Sequence, residues 1–379
     1  MRSQMCLTLR SIACLCLTLL FIVSCGDQPE PAQAVEYAND SVTVIGIIRE
    51  GAADSVSLHA VMHPADVMQA AGRTIATSSL YPNRSFELRA YWPHEGVLSV
   101  FYGDEEILED VYMRTGDTLT LRKEGDKIAA VCTPLYEFQQ RFNQQFFTDE
   151  DVREDYRRRF ALEPVVFASY VDKRLTDQVA MVRGEYPPGT SDSLFMHYMM
   201  NKVEYTWAYD RLQYAWKTSR VNQNLLRPVK DEYYEFLHSV QADNPAALTS
   251  DEYAAFLLGY TEYLYDSLAA TKPYKGRLGE ITRITNEAAD RLRLIESRFS
   301  PATAAAAKAL YLHSEIKTLA YLNNSQDSSL NMLDFLEPRR RVLDSLYSAF
   351  KSSTSDTNYL NLLERQYNAE VPAADLPEM

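Results

Sequence analysis

The period of the hydrophobic pattern changes once along this chain, at Thr133-Pro134, and that change limits the fold more than any other feature. Before it, apolar residues alternate. Ser85-Phe86-Glu87-Leu88-Arg89-Ala90-Tyr91 places Phe86, Leu88 and Ala90 on one side of an extended chain and Glu87 and Arg89 on the other, as a strand buried on one face requires. Further strands are predicted over Val42–Arg49, Ser55–Met62, Thr74–Leu80, Val97–Tyr102, Ile107–Met113, Thr118–Arg122 and Lys127–Cys132. Glu50-Gly51, Tyr81-Pro82-Asn83, Gly103-Asp104, Gly116-Asp117 and Gly125-Asp126 supply the turns between them. Only Ala65–Ala71 is open to a helical reading, so residues 40–132 are expected to form a small antiparallel sandwich or barrel.

After Pro134 the period is 3.6. Leu135, Phe138, Phe142 and Phe146 recur at steps of three, four and four, which makes one apolar stripe on a helix. Helices are also predicted over Asp149–Leu162, Pro164–Val182, Asp192–Trp216, Val229–Val240, Asp251–Ala270, Leu278–Arg298, Pro301–Leu322, Arg340–Phe350 and Thr357–Asn368. Thr249 with Glu252 reads as a capping box, Pro301 as a first helical position, and Pro338 as a break between two helices. Ala305, Ala309, Leu312, Ile316 and Leu319 form a small-to-large seam for a partner helix. The fold class expected is α+β: a small N-terminal antiparallel β-sandwich followed by a larger all-helical domain over residues 133–370, with a tail at 371–379.

The first residues carry a different message. Arg2 and Arg10 precede an uncharged apolar run, Ser11 to Val23, which is the pattern of a secretory signal. At about 13 residues it is shorter than the roughly 20 a spanning helix needs. The run ends in Ile22-Val23-Ser24-Cys25-Gly26, which resembles the lipobox of bacterial lipoproteins, where a small residue precedes the cysteine that is acylated and becomes the new N-terminus. Residues 1–24 are then the signal, Cys25 the lipidation site, and residues 25–39, polar and proline-bearing, a flexible tether. Of the five cysteines, Cys6, Cys14 and Cys16 leave with the signal and Cys25 is acylated. Cys132 remains alone, so an intrachain disulfide is excluded. Following Ile128-Ala129-Ala130-Val131, it reads as a buried inert thiol in preference to a reactive one.

The formal charge of −14 argues against nucleic-acid binding, which needs a basic face. The mature chain contains no GxxxxGK[ST], HExxH, GxSxG or CxxC. His59 and His63 are four apart, but one falls in a strand pattern and the other precedes Pro64, so a shared metal face is not expected. Asp104, Glu105, Glu106, Glu109 and Asp110 lack the spacing of a calcium loop and read as a solvated hairpin. Gly276-Arg277-Leu278-Gly279 reads as a loop before a helix, and Arg157-Arg158-Arg159 and Arg339-Arg340-Arg341 as partners of nearby acids. No cofactor or metal is expected. The 25 tyrosines and three tryptophans are in excess, and rings with polar tips either fill helix crossings or line a groove for sugars or peptides. Packing is the favoured reading residue by residue. Trp207, Tyr209, Tyr214 and Trp216 form the best candidate binding surface.

The lipobox, the Thr115-Gly116-Asp117-Thr118-Leu119-Thr120-Leu121 hairpin and Asp243-Asn244-Pro245 ahead of Ser250-Asp251-Glu252-Tyr253 together resemble the front part of Bacteroidetes-type TlpA-like thiol-disulfide lipoproteins. The resemblance implies a β-sandwich and a helical domain ahead of a thioredoxin module. That module's Trp-Cys-x-x-Cys pair does not occur here, so no redox residue carries over. Asp followed by Ser or Thr and an aliphatic residue is similar to the O-glycosylation sequon of the same bacterial group, which makes Ser41, Ser55, Thr118, Ser193, Ser267 and Ser345 candidate sites. The function expected is a non-enzymatic, lipid-anchored envelope protein whose β module and helical domain form a binding or scaffolding surface for another envelope component; the partners expected are the membrane, through the N-terminal lipid, and an envelope protein or glycan. Its localisation would be the outer membrane, facing periplasm or cell surface. The alternatives are an accessory of thiol-disulfide exchange working with a separate thioredoxin partner, and a glycan-binding lipoprotein.

Overall fold

The computed structural model describes residues 40–69, 72–147, 159–187, 189, 192–221, 229–271, 280–324 and 332–370. The expected signal, tether and tail and most of the expected helix Asp149–Leu162 therefore lie outside the described residues, as does the Gly276–Gly279 stretch. From Asp40 onward the chain forms one compact unit, α+β in class.

Among the described residues, eight strands make two four-stranded sheets. β1 (Ser41–Ile48), β4 (Ser85–Tyr91), β7 (Thr118–Glu124) and β8 (Lys127–Val131) form one sheet in the order β4-β1-β7-β8. β2 (Ser55–Ala60), β3 (Arg73–Ser79), β5 (Glu95–Tyr102) and β6 (Glu105–Arg114) form the other in the order β3-β2-β5-β6. The alternation fixes which side chains meet: Val42, Val44, Phe86, Leu88, Leu119 and Leu121 from one sheet pack with Val56, Leu58, Leu98, Val100, Val111 and Met113 from the other in one apolar cluster. The architecture is thus a sandwich. It is not wholly antiparallel, because β1 and β7 run parallel with Thr43 opposite Thr118. Period-two patterning sets the buried face of a strand and leaves the direction of its neighbour open. Gly46 sits where β1 passes closest to its partners. A Cβ there would lie 2.3 Å from the Leu121 carbonyl oxygen and 2.9 Å from the Phe86 ring.

Eight α-helices follow among the described residues: α1 (Pro134–Phe146), α2 (Pro164–Glu185), α3 (Ser193–Val221), α4 (Asp251–Thr271), α5 (Glu280–Arg298), α6 (Pro301–Asn324), α7 (Met332–Ser353) and α8 (Thr357–Glu370). Thr133 caps α1 by accepting from the Tyr136 amide. α4 is capped by Ser250 and not by Thr249: the Ser250 hydroxyl accepts from the Tyr253 amide at 3.2 Å and donates to Glu252 at 2.7 Å. Pro301 opens α6 as expected. Ala309, Leu312, Ile316 and Leu319 of its seam are buried, and so are Ala304, Ala306 and Ala307, because α4, α5, α7 and α8 all pack against this one helix.

Two helical expectations need correction. Pro338 does not end a helix, since α7 runs from Met332 through it to Ser353. An interior proline costs about 3 kcal/mol, which the burial of Val342, Leu343, Leu346 and Phe350 behind it offsets. Asp231–Ser239 is a nine-residue 3₁₀ segment and not an α-helix. Such runs are rarely this long. This one is tied from outside: Arg211 donates to the Tyr233 carbonyl at 3.0 Å and lays its guanidinium 4.4 Å from the Phe236 ring centroid.

The tyrosine excess is accounted for mostly inside this helical core. Tyr205 donates to the Gln241 carbonyl and accepts from the Asn244 side chain, while Tyr253 donates to the Ala242 carbonyl and accepts from the Asn244 amide. Buried rings supply apolar area, and their hydroxyls satisfy the backbone of a segment that has few partners of its own.

One side chain closes an edge of the sandwich. Gln139 of α1 is buried, and its amide accepts from the Tyr112 N–H at 2.9 Å and donates to the Asp110 carbonyl at 3.0 Å, as a neighbouring strand would. Replacing it should leave two backbone groups of β6 without partners, each costing about 1–3 kcal/mol when buried. Gln139→Leu, nearly equal in size, is therefore expected to lower the urea unfolding free energy by roughly 2–4 kcal/mol. An unchanged midpoint would mean that the edge is not held in this way.

Candidate functional site

Strand β6 uses both of its faces. Val111 and Met113 point into the sandwich, whereas Asp110, Tyr112 and Arg114 point away from it and meet the start of α3. On the helix the partners are Asp192, Phe195, Tyr198 and Lys202, spaced three, three and four apart along one stripe. The two repeats agree in length. Ten residues of helix rise about 15 Å, and four residues of strand about 13 Å, so three consecutive outward positions of β6 each find a partner.

At one end Arg114 donates to Glu95 at 2.9 Å and pairs with Asp192 at 2.7 Å. In the middle the Tyr112 ring lies edge-on to Phe195 at 4.9 Å and against Tyr198 at 5.4 Å, with its hydroxyl donating to Glu95. Burial, and then the Glu95 charge, push that hydroxyl above its ordinary range, so it remains a donor. At the other end the Lys202 ammonium sits 2.9 Å from Asp110 and 3.2 Å from Glu252 in the first turn of α4. Burial alone would lower the Lys202 pKa, but Tyr198, Glu252 and Asp110 outweigh it and hold the ammonium well above its usual value. Glu252 is likewise kept below the carboxylate range against its burial, chiefly by Lys202 and then by the Ser250 hydroxyl. The Asp251 carboxyl, crowded among these acids although the residue as a whole keeps solvent contact, is pushed up to about 6, first by desolvation and then by the charges of Asp110 and Glu252. One cation is thus shared between two acids, with two more, Glu109 and Asp251, beside them.

A second seam ties the sandwich to the last helix. The β2–β3 connection places Ala65 and Met68 in the helical core. His63 accepts from the Ala65 amide at Nδ1, which leaves Nε2 facing Asp356 at 3.0 Å. Arg73 joins Asp66 to Asn358, and Arg365 donates to Gln69. His63 is accordingly a joint between two parts of the fold. His59 contacts Ser57, Thr74 and the Phe101 ring instead, so the two histidines do not converge. No group of three or more metal-ligating side chains is found among the described residues.

The aromatic surface expected at 207–216 is corrected. Trp207 is 8% exposed, its indole N–H donates to Asp172 at 2.7 Å, and its ring meets Phe236 edge-on. Tyr214 is fully buried and donates to the Leu162 carbonyl. Tyr209 is half-buried against Gly259, and the side chain of Trp216 lies outside the described residues. Rings spaced for a helix crossing serve the crossing because α2, α4 and the 231–239 segment close around α3.

Of the candidate modification sites, Ser41 is buried, Ser55 and Ser193 are half-buried, and Thr118, Ser267 and Ser345 are exposed. Cys132 is partly buried beneath the sandwich. Desolvation first, and the Asp117 charge second, push its thiol up to about 11. Arg159 approaches Asp210 at 3.9 Å, in line with pairing by nearby acids. Comparison of the chain with protein-family models, with curated proteins and with solved structures finds no match to any of them.

The sequence offered no direct signal for the seam, since Lys202 and Asp110 are 92 residues apart. Lys202→Met should leave Asp110 and Glu252 crowded without their cation and cost about 3–5 kcal/mol of stability, measured by urea denaturation at neutral pH. The raised carboxyl of Asp251 has the opposite sign. A folded-state value above the unfolded one penalises the folded state once pH passes it, and the penalty vanishes below the unfolded value near 3.8. Asp251→Asn is expected to stabilise the fold at pH 7.5, with the gain shrinking through pH 6 and gone near pH 3.5. A pH-independent difference would remove this assignment.

Proposed function

We propose that this chain is a lipid-anchored envelope protein with a non-enzymatic binding or scaffolding role, held to a bacterial membrane through Cys25. What supports the anchor is the sequence: the basic start, the short apolar run and Cys25 flanked by Ser24 and Gly26. No helix among the described residues is long and apolar enough to cross a membrane.

The observation that carries the scaffolding half is the pair of seams. The charged side chains that meet at the sandwich–helix boundary are paired with each other, Arg114 with Glu95 and Asp192, Lys202 with Asp110 and Glu252, and they fix two parts into one body. A body held at both ends presents a surface of constant shape, which favours binding by lowering the ordering cost. An accessory role in thiol-disulfide exchange is weighed down by Cys132. A thiol with its pKa near 11 is almost wholly protonated at neutral pH, and the thiolate is the attacking species.

The anchor is tested by metabolic labelling with palmitate. Incorporation is expected in the native chain and absent in Cys25→Ser, and an unlabelled native chain recovered from the culture fluid would end the reading. The thiol assignment is checked separately. Iodoacetamide should modify Cys132 at least about tenfold more slowly than an unperturbed cysteine at pH 7.5, and a rate equal to free cysteine would restore the exchange hypothesis.

A further inference from the structure

The outer face of the β4-β1-β7-β8 sheet is unlike the rest of this acidic chain. The strand registers place Tyr91, Arg89 and Glu87 of β4, Thr43, Ile45 and Ile47 of β1, Thr118, Thr120 and Arg122 of β7, and Ala129 and Val131 of β8 side by side on it. Ile45 and Ile47 are 36% and 41% exposed, Tyr91 56% and Val131 63%. In a half-buried sheet these positions are normally polar. Four basic residues, Arg49, Arg89, Arg122 and Lys127, lie among or at the border of these side chains against two acidic ones, Glu87 and Glu124, and Glu124 is shared by Arg49 and Arg122. The whole chain, by contrast, has a formal charge of −14. Apolar side chains set within a net-positive face suit a surface that is greasy below and anionic above.

The covalent path points to the same occupant. β1 begins at Ser41, which is in register with Tyr91 at one end of this face. Fourteen residues separate Cys25 from Asp40, and at 3.3–3.6 Å per residue they reach no more than about 50 Å. An acylated Cys25 therefore keeps a bilayer within that distance of the face, and tethering turns a weak contact into an intramolecular one.

We propose that the outer face of this sheet docks flat on the anionic lipid surface to which the chain is anchored. Ile45, Ile47 and Val131 enter the boundary between headgroups and acyl chains, Tyr91 lies at headgroup level, and Arg89 and Lys127 meet the phosphates. The sandwich then faces the membrane through one sheet. The proposal rests on lipidation at Cys25, and its test separates the two.

The full-length acylated chain, reconstituted into vesicles of phosphatidylethanolamine and phosphatidylglycerol, is compared in four forms: native, Tyr91→Trp, Tyr321→Trp, and Tyr91→Trp combined with Ile45→Glu. Tyr321, 74% exposed on α6, is the control. Flotation reports the anchor, and quenching of the added tryptophan emission by lipid brominated near the top of the acyl chain reports docking. The expected result is that all forms float, that the emission added by Tyr91→Trp is at least halved, and that neither the Tyr321→Trp form nor the Ile45→Glu combination is quenched. Val131→Glu replaces Ile45→Glu if that variant loses its circular dichroism. Flotation without quenching of Tyr91→Trp overturns docking and leaves the anchor standing. Failure to float removes the anchor and the proposal with it. Protection of this face in whole envelopes without quenching in vesicles gives it to a protein partner and also overturns the proposal.

Discussion

Strand β6 belongs to two structures at once, and the rest of the molecule is arranged around that fact. Its inward residues Val111 and Met113 are completely buried in the sandwich, while Asp110, Tyr112 and Arg114 reach the first three turns of α3. A strand at the edge of a sheet exposes backbone donors and acceptors along its length. Here Gln139 takes up two of them, and the outward side chains take up a helix. The edge that would otherwise invite another chain becomes the seat of the helical region.

Charge at this seam is arranged for fit and also carries a cost. Lys202 is well matched to Asp110 and Glu252, yet Glu109 and Asp251 add negative charge that no second cation among the described residues offsets at this end, and the Asp251 carboxyl is raised, first by desolvation and then by the charges of Asp110 and Glu252. Buried ion pairs are seldom a large net source of stability, since desolvation consumes much of their attraction. Their geometric demand is stricter than that of apolar contacts. Apolar packing by Phe195 and Tyr198 against Tyr112 supplies the adhesion, and the flanking pairs fix the register of strand on helix.

The aromatic residues show how one composition serves different ends. The excess of rings leaves two readings open in the sequence, helix packing, which is favoured, and a binding surface at Trp207, Tyr209, Tyr214 and Trp216. In the folded chain the rings interlock, Tyr205 with Tyr253 and Phe256, Trp207 with Phe236, Tyr214 with Phe167, and their polar tips hold the 241–244 segment and the Leu162 carbonyl just ahead of α2. The exposed apolar positions lie elsewhere, at Ile45, Ile47, Tyr91 and Val131 on a sheet that the alternation had assigned a polar outer face.

The sequence by itself determined the two periods, their boundary at Thr133-Pro134 and the inward residues Phe86, Leu88 and Ala90 of β4. These are local properties, set by backbone geometry and by the cost of leaving apolar side chains in water. Several outcomes waited for the tertiary structure: the parallel pairing of β1 with β7, the passage of α7 through Pro338, the 3₁₀ winding of residues 231–239 and the meeting of Lys202 with Asp110. Each depends on groups far apart in the chain, and each overrides a local preference worth only a few kcal/mol. A one-dimensional pattern records which side of an element is apolar, and only packing decides what that side meets.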